Sequence, residues 1–78
     1  MHRPPKISAE RFAALSERQQ QIATLLLKGL SNKAIAAELD ITEGTVKNHL
    51  HSIYYKLGID SRISLIIALT TLISEIGT

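Results

Sequence analysis

The stretch that most constrains the fold is residues 43–57, EGTVKNHLHSIYYKL, in which apolar residues recur at the period of an α-helix. Advancing about 100° per residue from Val46 brings the next three apolar residues to within about 40° of it. These residues are Leu50, Ile53 and Leu57. The opposite side carries Gly44, Lys47, Asn48, His51 and Tyr55. The stretch therefore predicts an amphipathic helix that packs one face on a core and presents a polar face outward.

The polar face of this helix combines positive charge with hydrogen-bonding groups. Lys47 carries a charge, Asn48 an amide and His51 an imidazole, and no acidic side chain occurs between Glu43 and Asp60. Such groups read base edges in the major groove of DNA, which has room for one helix. A helix whose polar face is merely solvated would show the same pattern, so the neighbouring segments must decide between the two interpretations.

Start and stop signals predict three more helices, and hence an all-α domain. Ser16, with Gln19 three residues later, has the pattern of a capping box, and Gly29 is placed to end that helix. The four predicted helices cover about residues 16–28, 33–39, 43–57 and 62–75.

The second and third predicted helices are close together in the sequence. Ser31 or Asn32 can cap the second helix, Thr42 can cap the third, and Asp60 or Ser61 can cap the fourth. A short helix, a tight turn and a helix with a basic face follow one another in the order of a helix-turn-helix motif. The fold class predicted from the sequence is therefore a four-helix helix-turn-helix domain.

The fourth predicted helix is apolar on two sides. One stripe consists of Leu65, Leu69, Leu72 and Ile76, and a second patch consists of Ile63, Ile66, Ile67 and Ile73. A strand would also fit this alternation, but an uninterrupted segment of about 14 residues favours a helix. Because so small a domain can cover only one side, we predict that a second copy of the chain covers the other. The expected dimer interface comprises Ile63, Ile66, Ile67 and Thr70.

The length of 78 residues suffices for one small domain. We assign residues 15–78 to this domain and residues 1–14 to an N-terminal tail or linker remnant, because consecutive prolines near the start disfavour a helix. Within that segment, Ser8 can cap a short turn from which Phe12 folds back onto the core.

The composition offers little support for catalysis or metal binding. The chain has no cysteine, and a helix would point His49 and His51 about 200° apart, so they cannot share a metal. The four glycines are dispersed and form no phosphate-binding loop. We therefore expect no catalytic residue, no metal and no cofactor. A net charge of +2 and a pI of about 9.2 permit nucleic-acid binding without requiring it.

Nothing in the sequence predicts a membrane partner. The longest strongly apolar stretch, residues 63–73, is too short to span a bilayer, and no apolar run follows the basic N-terminus. The expected location is the cytoplasm, with which the lack of cysteine agrees.

Several motifs together resemble the LuxR/GerE-type helix-turn-helix domain, which is also the output module of NarL-like response regulators. They are LSERQ from Leu15, GLSNKAIA from Gly29, ITEGTVKNH from Ile41, IYYKLG from Ile53 and the pair Ser61-Arg62. The resemblance extends over about residues 15–72. It implies sequence-specific binding to double-stranded DNA by a bacterial-type transcriptional regulator, with the fourth helix as a frequent dimer contact.

The resemblance also implies roles for individual residues. The base-contacting positions of the family correspond to Lys47, Asn48 and His51. The positions that contact the DNA backbone correspond to Asn32, Lys33, Thr45, Val46, Tyr54 and Lys56. Lys47 suits guanine or a phosphate, and Asn48 suits adenine. For Arg62 the sequence leaves a phosphate contact, a helix cap and a pair with Asp60 open.

Three positions depart from the usual pattern of the family. Gln19 stands where the family usually has Glu, so an ion pair that this Glu makes inside the domain is expected to be absent. Ala23 replaces a frequent Leu, and Asp40 replaces a frequent Gly in the turn, where Asp tolerates a positive φ better than most residues.

Two wider questions stay open at the level of sequence. A protein-interaction domain could keep the same fold and bind another protein through its fourth helix without binding DNA. In a longer parent protein, a receiver or ligand-binding domain could precede this one.

Overall fold

The computed structural model describes residues 6–77, and within them the chain forms five helices and no strand. The helices are α1 (Ala9–Ala13), α2 (Glu17–Leu27), α3 (Asn32–Leu39), α4 (Glu43–Leu57) and α5 (Arg62–Ile76). The four predicted helices are confirmed as α2 to α5, and the strand interpretation of the fourth is wrong. The short turn expected after Ser8 is the additional helix α1. Predictions for residues 1–5 lie outside the described part of the chain.

Each helix is preceded by a serine or threonine N-cap whose side-chain oxygen accepts a hydrogen bond from a backbone N–H three residues later. Such caps satisfy one of the N–H groups that have no partner within the helix. At the two positions with alternatives, the cap is Ser31 and not Asn32, and Ser61 and not Asp60. The predicted capping box of Ser16 and Gln19 is present.

Left-handed residues end the central helices. Asp40 ends α3 with φ 56° and ψ 48°, and Gly58 ends α4 with φ 68°. Aspartate adopts this region more readily than most residues other than glycine, so Asp40 can form this turn without a glycine. The turn then passes through Ile41, which is half-buried against the core.

The core is built around α4, which packs on α1, α2 and α3, while α5 packs on α2. The apolar stripe of α4 predicted from the sequence is confirmed, because its four residues are no more than 3% exposed. The largest fully buried side chains are Ile22, Leu26, Ile35, Val46, Ile53 and Leu65. All of them are aliphatic, and the half-buried aromatic residues Phe12 and Tyr54 pack against the margin of the core.

Part of the segment before residue 15 packs on this core. Ile7 is only 4% exposed, and Phe12 on α1 is half-buried. An ion pair of 3.2 Å joins Lys6 Nζ to Glu75 Oε1 at the far end of α5. Both side chains are exposed, so this pair contributes little to stability.

Helix α5 divides its apolar residues between the core and the surface. Leu65, Leu69 and Leu72 are buried, whereas Ile76 is 66% exposed. The expectation that Ile76 completes the buried stripe is wrong, because it is the last residue of α5 and no core helix covers it there. Four isoleucines of the helix are substantially exposed: Ile63, Ile67, Ile73 and Ile76.

Within residues 6–77, no helix by itself is long and apolar enough to cross a membrane. Helices α4 and α5 together pass that test on length and composition alone, and they are bent by 61° relative to each other.

Replacing Ile53 by alanine should lower the free energy of unfolding by about 2–5 kcal/mol, because the fully buried side chain leaves a cavity. The matched control is Ile76→Ala, which removes the same atoms from a largely exposed position and should cost less than about 1 kcal/mol. Urea denaturation followed by circular dichroism measures both values. Equal losses in the two variants would contradict the described core.

Candidate nucleic-acid interface

Helices α3 and α4 are joined by a turn of defined geometry. The amide of Ile41 donates to the carbonyl of Ala36 at 3.0 Å, which closes the end of α3. Thr42 then begins α4, and its Oγ1 accepts from the amide of Thr45 at 3.1 Å and lies 2.9 Å from the Thr45 hydroxyl. These bonds and the packing of Ile41 set the direction of α4 relative to α3.

The face of α4 opposite the buried stripe is open to solvent. Lys47, Asn48 and His51, the predicted base-contacting residues, are all exposed and lie on this one face. Gly44 is exposed at its beginning, and Tyr55 is 89% exposed near its end. The arrangement presents a cation, an amide and an imidazole side by side, although base contact by these residues stays a prediction.

Two predicted backbone contacts at the start of α4 differ in accessibility. Thr45 is half-buried, and its hydroxyl is near the surface beside Thr42. Val46 is fully buried, and its amide already donates to the carbonyl of Thr42 at 3.1 Å. Neither its side chain nor its N–H is available to a phosphate, and a DNA contact by Val46 stays a prediction that this geometry does not support. The N–H groups that lack a partner within the helix are those of Glu43 and Gly44, the first two residues of α4.

On one flank of the exposed face, Gln19 links α2 to two residues of α4. Its Oε1 accepts from the backbone N–H of Ser16 and from Lys56 Nζ, each at 3.0 Å. Its Nε2 lies 3.0 Å from the hydroxyl oxygen of Ser52, to which it donates. Gln19 is only 6% exposed, so the three contacts satisfy a buried amide. Sequence reasoning did not single out Ser52, since only the fold brings it to Gln19.

The neutral amide of Gln19 has an electrostatic consequence. A carboxylate at this position would cancel the charge of Lys56 in an ion pair, whereas the amide only accepts a hydrogen bond from it. Lys56 is exposed and keeps its net positive charge at the edge of the face. A fixed charge in this place suits a phosphate group.

On the other flank, Arg62 at the start of α5 reaches the beginning of α3. Its Nη1 donates to Asn32 Oδ1 at 2.6 Å, and its Nη2 donates to the carbonyl of Leu30 at 2.9 Å. Of the roles that the sequence left open for Arg62, the cap belongs to Ser61, and the guanidinium is engaged by Asn32 instead of Asp60. Asn32 is half-buried and the adjacent Lys33 is exposed.

Tyr54 belongs to the same flank. Burial raises the pKa of its phenol above the ordinary value of 10.0, and the positive charge of Arg62 acts in the opposite direction. The phenol is therefore protonated at neutral pH and can donate a hydrogen bond. The ring of His51 packs beside it with a distance of 6.4 Å between ring centroids.

Among residues 6–77, no group of three or more His, Asp or Glu side chains is placed to hold a metal ion.

The fold and the exposed face of α4 define a helix-turn-helix domain. The model of the family described as bacterial regulatory proteins, luxR family, matches residues 13–69. The chain therefore belongs to the luxR family, as the sequence motifs indicated. This is a family of DNA-binding transcription regulators and not a family of enzymes.

Known proteins that resemble the chain are regulators. The response regulator protein TodT of Pseudomonas putida strain F1 is 44% identical over 59 residues, which cover 73% of this chain and 26% of TodT. The HTH-type transcriptional regulator MalT of Vibrio parahaemolyticus is 36% identical over 67 residues, which cover 86% of this chain and 7% of MalT. The solved structure of the response regulator StyR has a TM-score of 0.71 and 41% identity, over 85% of this chain and 31% of that chain. The chain thus spans about a third or less of the length of these relatives.

Replacing Gln19 by leucine should lower the free energy of unfolding by about 1–3 kcal/mol, because the capping box is lost and three polar groups lose their partner. The control is Gln21→Leu on the same helix, where the exposed side chain should change stability by no more than about 0.5 kcal/mol. Thermal and urea denaturation of both variants measures the difference. Similar stability of the two variants would show that the Gln19 contacts contribute nothing.

Proposed function

We propose that this domain binds double-stranded DNA in a sequence-specific manner, with α4 as the recognition helix in the major groove. The observation that carries the proposal is the division of α4 into a fully buried stripe and an exposed face with Lys47, Asn48 and His51. A helix held by its apolar side to a core can enter the groove only with its other side. The groove admits one helix and displays the donors and acceptors that these side chains can meet.

Each residue of the exposed face has a distinct role in this proposal. Lys47 donates to O6 or N7 of a guanine, and Asn48 forms two hydrogen bonds with the edge of an adenine. His51, one turn further along α4, reaches a base or an adjacent phosphate. The three side chains together would read successive base pairs.

Contacts with the phosphate backbone are proposed on both flanks of α4. On a wheel of about 100° per residue, Tyr54 and Lys56 lie on opposite sides of the exposed face. Since a helix in the major groove has one DNA strand on either side, each flank can meet a different strand. The backbone contacts proposed for this domain are Asn32, Lys33, Thr45, Tyr54 and Lys56.

We propose that the domain dimerises on DNA through α5. The expected interface residues form a surface in the structure, where Ile63 is 70% exposed, Ile67 is 41% exposed, Thr70 is exposed and Ile66 is half-buried. Two copies related by a two-fold axis would bury the same patch on each other. Paired helix-turn-helix domains bind half-sites about 34–36 Å apart, or multiples of this distance, and so gain affinity and specificity from the pairing.

The shares of TodT and StyR that the chain covers suggest a longer parent protein. Both relatives are named response regulators, so we propose that a receiver domain precedes this one and that the whole protein acts in the cytoplasm. The exposed isoleucines of α5 favour a second candidate function, in which the domain binds another protein and not DNA. Titration with random duplex DNA at low salt separates the two, because only a DNA-binding domain would form a complex.

Lys47→Ala should weaken binding to a selected specific duplex by about 1–3 kcal/mol, because a base contact is lost. The matched control is Lys28→Ala, which removes the same charge from the end of α2, outside the helix-turn-helix unit. Fluorescence anisotropy with a duplex selected from a random library measures both affinities over a range of salt concentrations. Affinity should fall steeply as the salt concentration rises, because the basic side chains of the protein displace counterions from DNA when they bind.

Two results would contradict this assignment of the groove. The first is a specific affinity that Lys47→Ala leaves unchanged. The second is an equal loss of affinity in Lys47→Ala and Lys28→Ala. An affinity that is independent of salt would argue against DNA as the partner.

Ile67→Glu should abolish self-association while leaving the monomer folded, since it places a charge in an apolar interface at a position already open to solvent. The control is Gln21→Glu, which adds the same charge on an exposed part of α2. Sedimentation equilibrium, with and without a two-half-site duplex, measures the stoichiometry. Dimerisation that persists in Ile67→Glu would move the interface to another surface.

A further inference from the structure

We infer that Arg62 is a positioning residue for DNA-backbone binding, which holds the side-chain amide of Asn32 with its NH2 group free to donate to a phosphate. The inference rests on the proposed function and adds to it a residue that acts through another. It also ties the helix proposed for dimerisation to the helix-turn-helix unit.

The contact between these residues joins distant parts of the chain. Arg62 is the first residue of α5 and Asn32 the first of α3, and a bond of 2.6 Å links Nη1 to Oδ1. The second arm of the guanidinium donates to the carbonyl of Leu30, the residue before the cap of α3. Because the planar guanidinium binds two acceptors at once, the Arg62 side chain has little freedom to rotate.

The chemistry of arginine decides which end of the Asn32 amide faces it. A guanidinium has five donors and no acceptor, so only the oxygen of an amide can meet it. The amide NH2 of Asn32 then occupies the other end, and among residues 6–77 it has no acceptor. A phosphate offers only acceptor oxygens. The orientation that Arg62 imposes is therefore the one that a phosphate requires.

Holding the amide in advance also reduces the entropy that binding costs. A free asparagine side chain would have to choose between two amide orientations and several rotamers on meeting DNA. Since Arg62 has already made that choice, the interaction with the phosphate loses less free energy to ordering. Asn32 and the exposed Lys33 beside it then present two donors at the same end of α3.

The position of Arg62 gives the contact a wider consequence. Ile63, the next residue of α5, is among the most exposed apolar residues and belongs to the proposed dimer patch. The same helix end thus carries a dimer residue and the support for a phosphate contact. The pairing of two domains would in this way be joined rigidly to the start of α3.

A double-mutant cycle on binding to the selected duplex tests the inference, with the whole chain as the protein. Asn32→Ala should weaken binding about tenfold, as expected for a lost hydrogen bond to a charged group. Arg62→Gln should also weaken binding of the otherwise unchanged chain about tenfold. A glutamine amide can offer Asn32 either a donor or an acceptor, so it no longer fixes the orientation of the Asn32 amide. In the Asn32→Ala background, Arg62→Gln should weaken binding by no more than about twofold, the part that comes from charge alone. Equal losses in both backgrounds would overturn the inference, because Arg62 would then act independently of Asn32.

A second comparison keeps the test decisive if Arg62→Gln does not fold. Asn32→Asp preserves an oxygen for Arg62 but replaces the outward NH2 group by another oxygen, so the chain should stay folded and lose DNA affinity. Ser31→Asp adds the same charge one residue earlier and keeps a good cap, and it should lose clearly less. Equal affinity of the two variants, or unchanged affinity of Asn32→Asp, would overturn the inference.

The same measurements separate this inference from the proposed function. If the wild-type chain does not bind duplex DNA in a salt-dependent way, the proposed function fails and the inference fails with it. If the wild type binds and Lys47→Ala behaves as expected, but the Arg62 and Asn32 effects multiply, only the role of Arg62 is refuted.

Discussion

The burial of one side of α4 is the constraint on which the other features depend. Val46 and Ile53 are inaccessible to solvent, and Leu50 and Leu57 are nearly so. The helix cannot turn about its axis without exposing this stripe, at a cost of several kcal/mol for side chains of that size. Its polar side is therefore held outward, and the turn that begins at Asp40 fixes the direction in which it points.

Helices outside the helix-turn-helix unit support this face from two directions. Gln19 of α2 holds Lys56 on one flank, and Arg62 of α5 holds Asn32 on the other. The bond between Gln19 and Lys56 joins residues 37 positions apart, and the bond between Arg62 and Asn32 joins residues 30 positions apart. Both supports are hydrogen bonds to neutral amides and leave the positive charges of Lys56 and Arg62 uncancelled. The flanks of α4 are thus ordered and still positive, a combination that suits the negatively charged backbone of DNA.

Helix α5 combines a structural and a proposed functional role along its length. Leu65, Leu69 and Leu72 close the core, while Ile63 and Ile67 remain on the surface. In a monomer these two isoleucines leave apolar surface exposed to solvent. In the proposed dimer, the same patch of a second copy would cover that surface. Because Arg62 lies at the start of the same helix, the geometry of such a dimer would be transmitted directly to the DNA-binding unit.

The sequence by itself determined the four main helices, the capping box at Ser16 and the buried stripe of α4. These features depend on residues a few positions apart, whose period and caps can be read along the chain. The tertiary structure decided that Gln19 meets Ser52 and Lys56, that Ile7 joins the core, and that Arg62 meets Asn32 instead of Asp60. Local patterns leave such outcomes open, because they depend on which distant segments the packing of aliphatic side chains brings together.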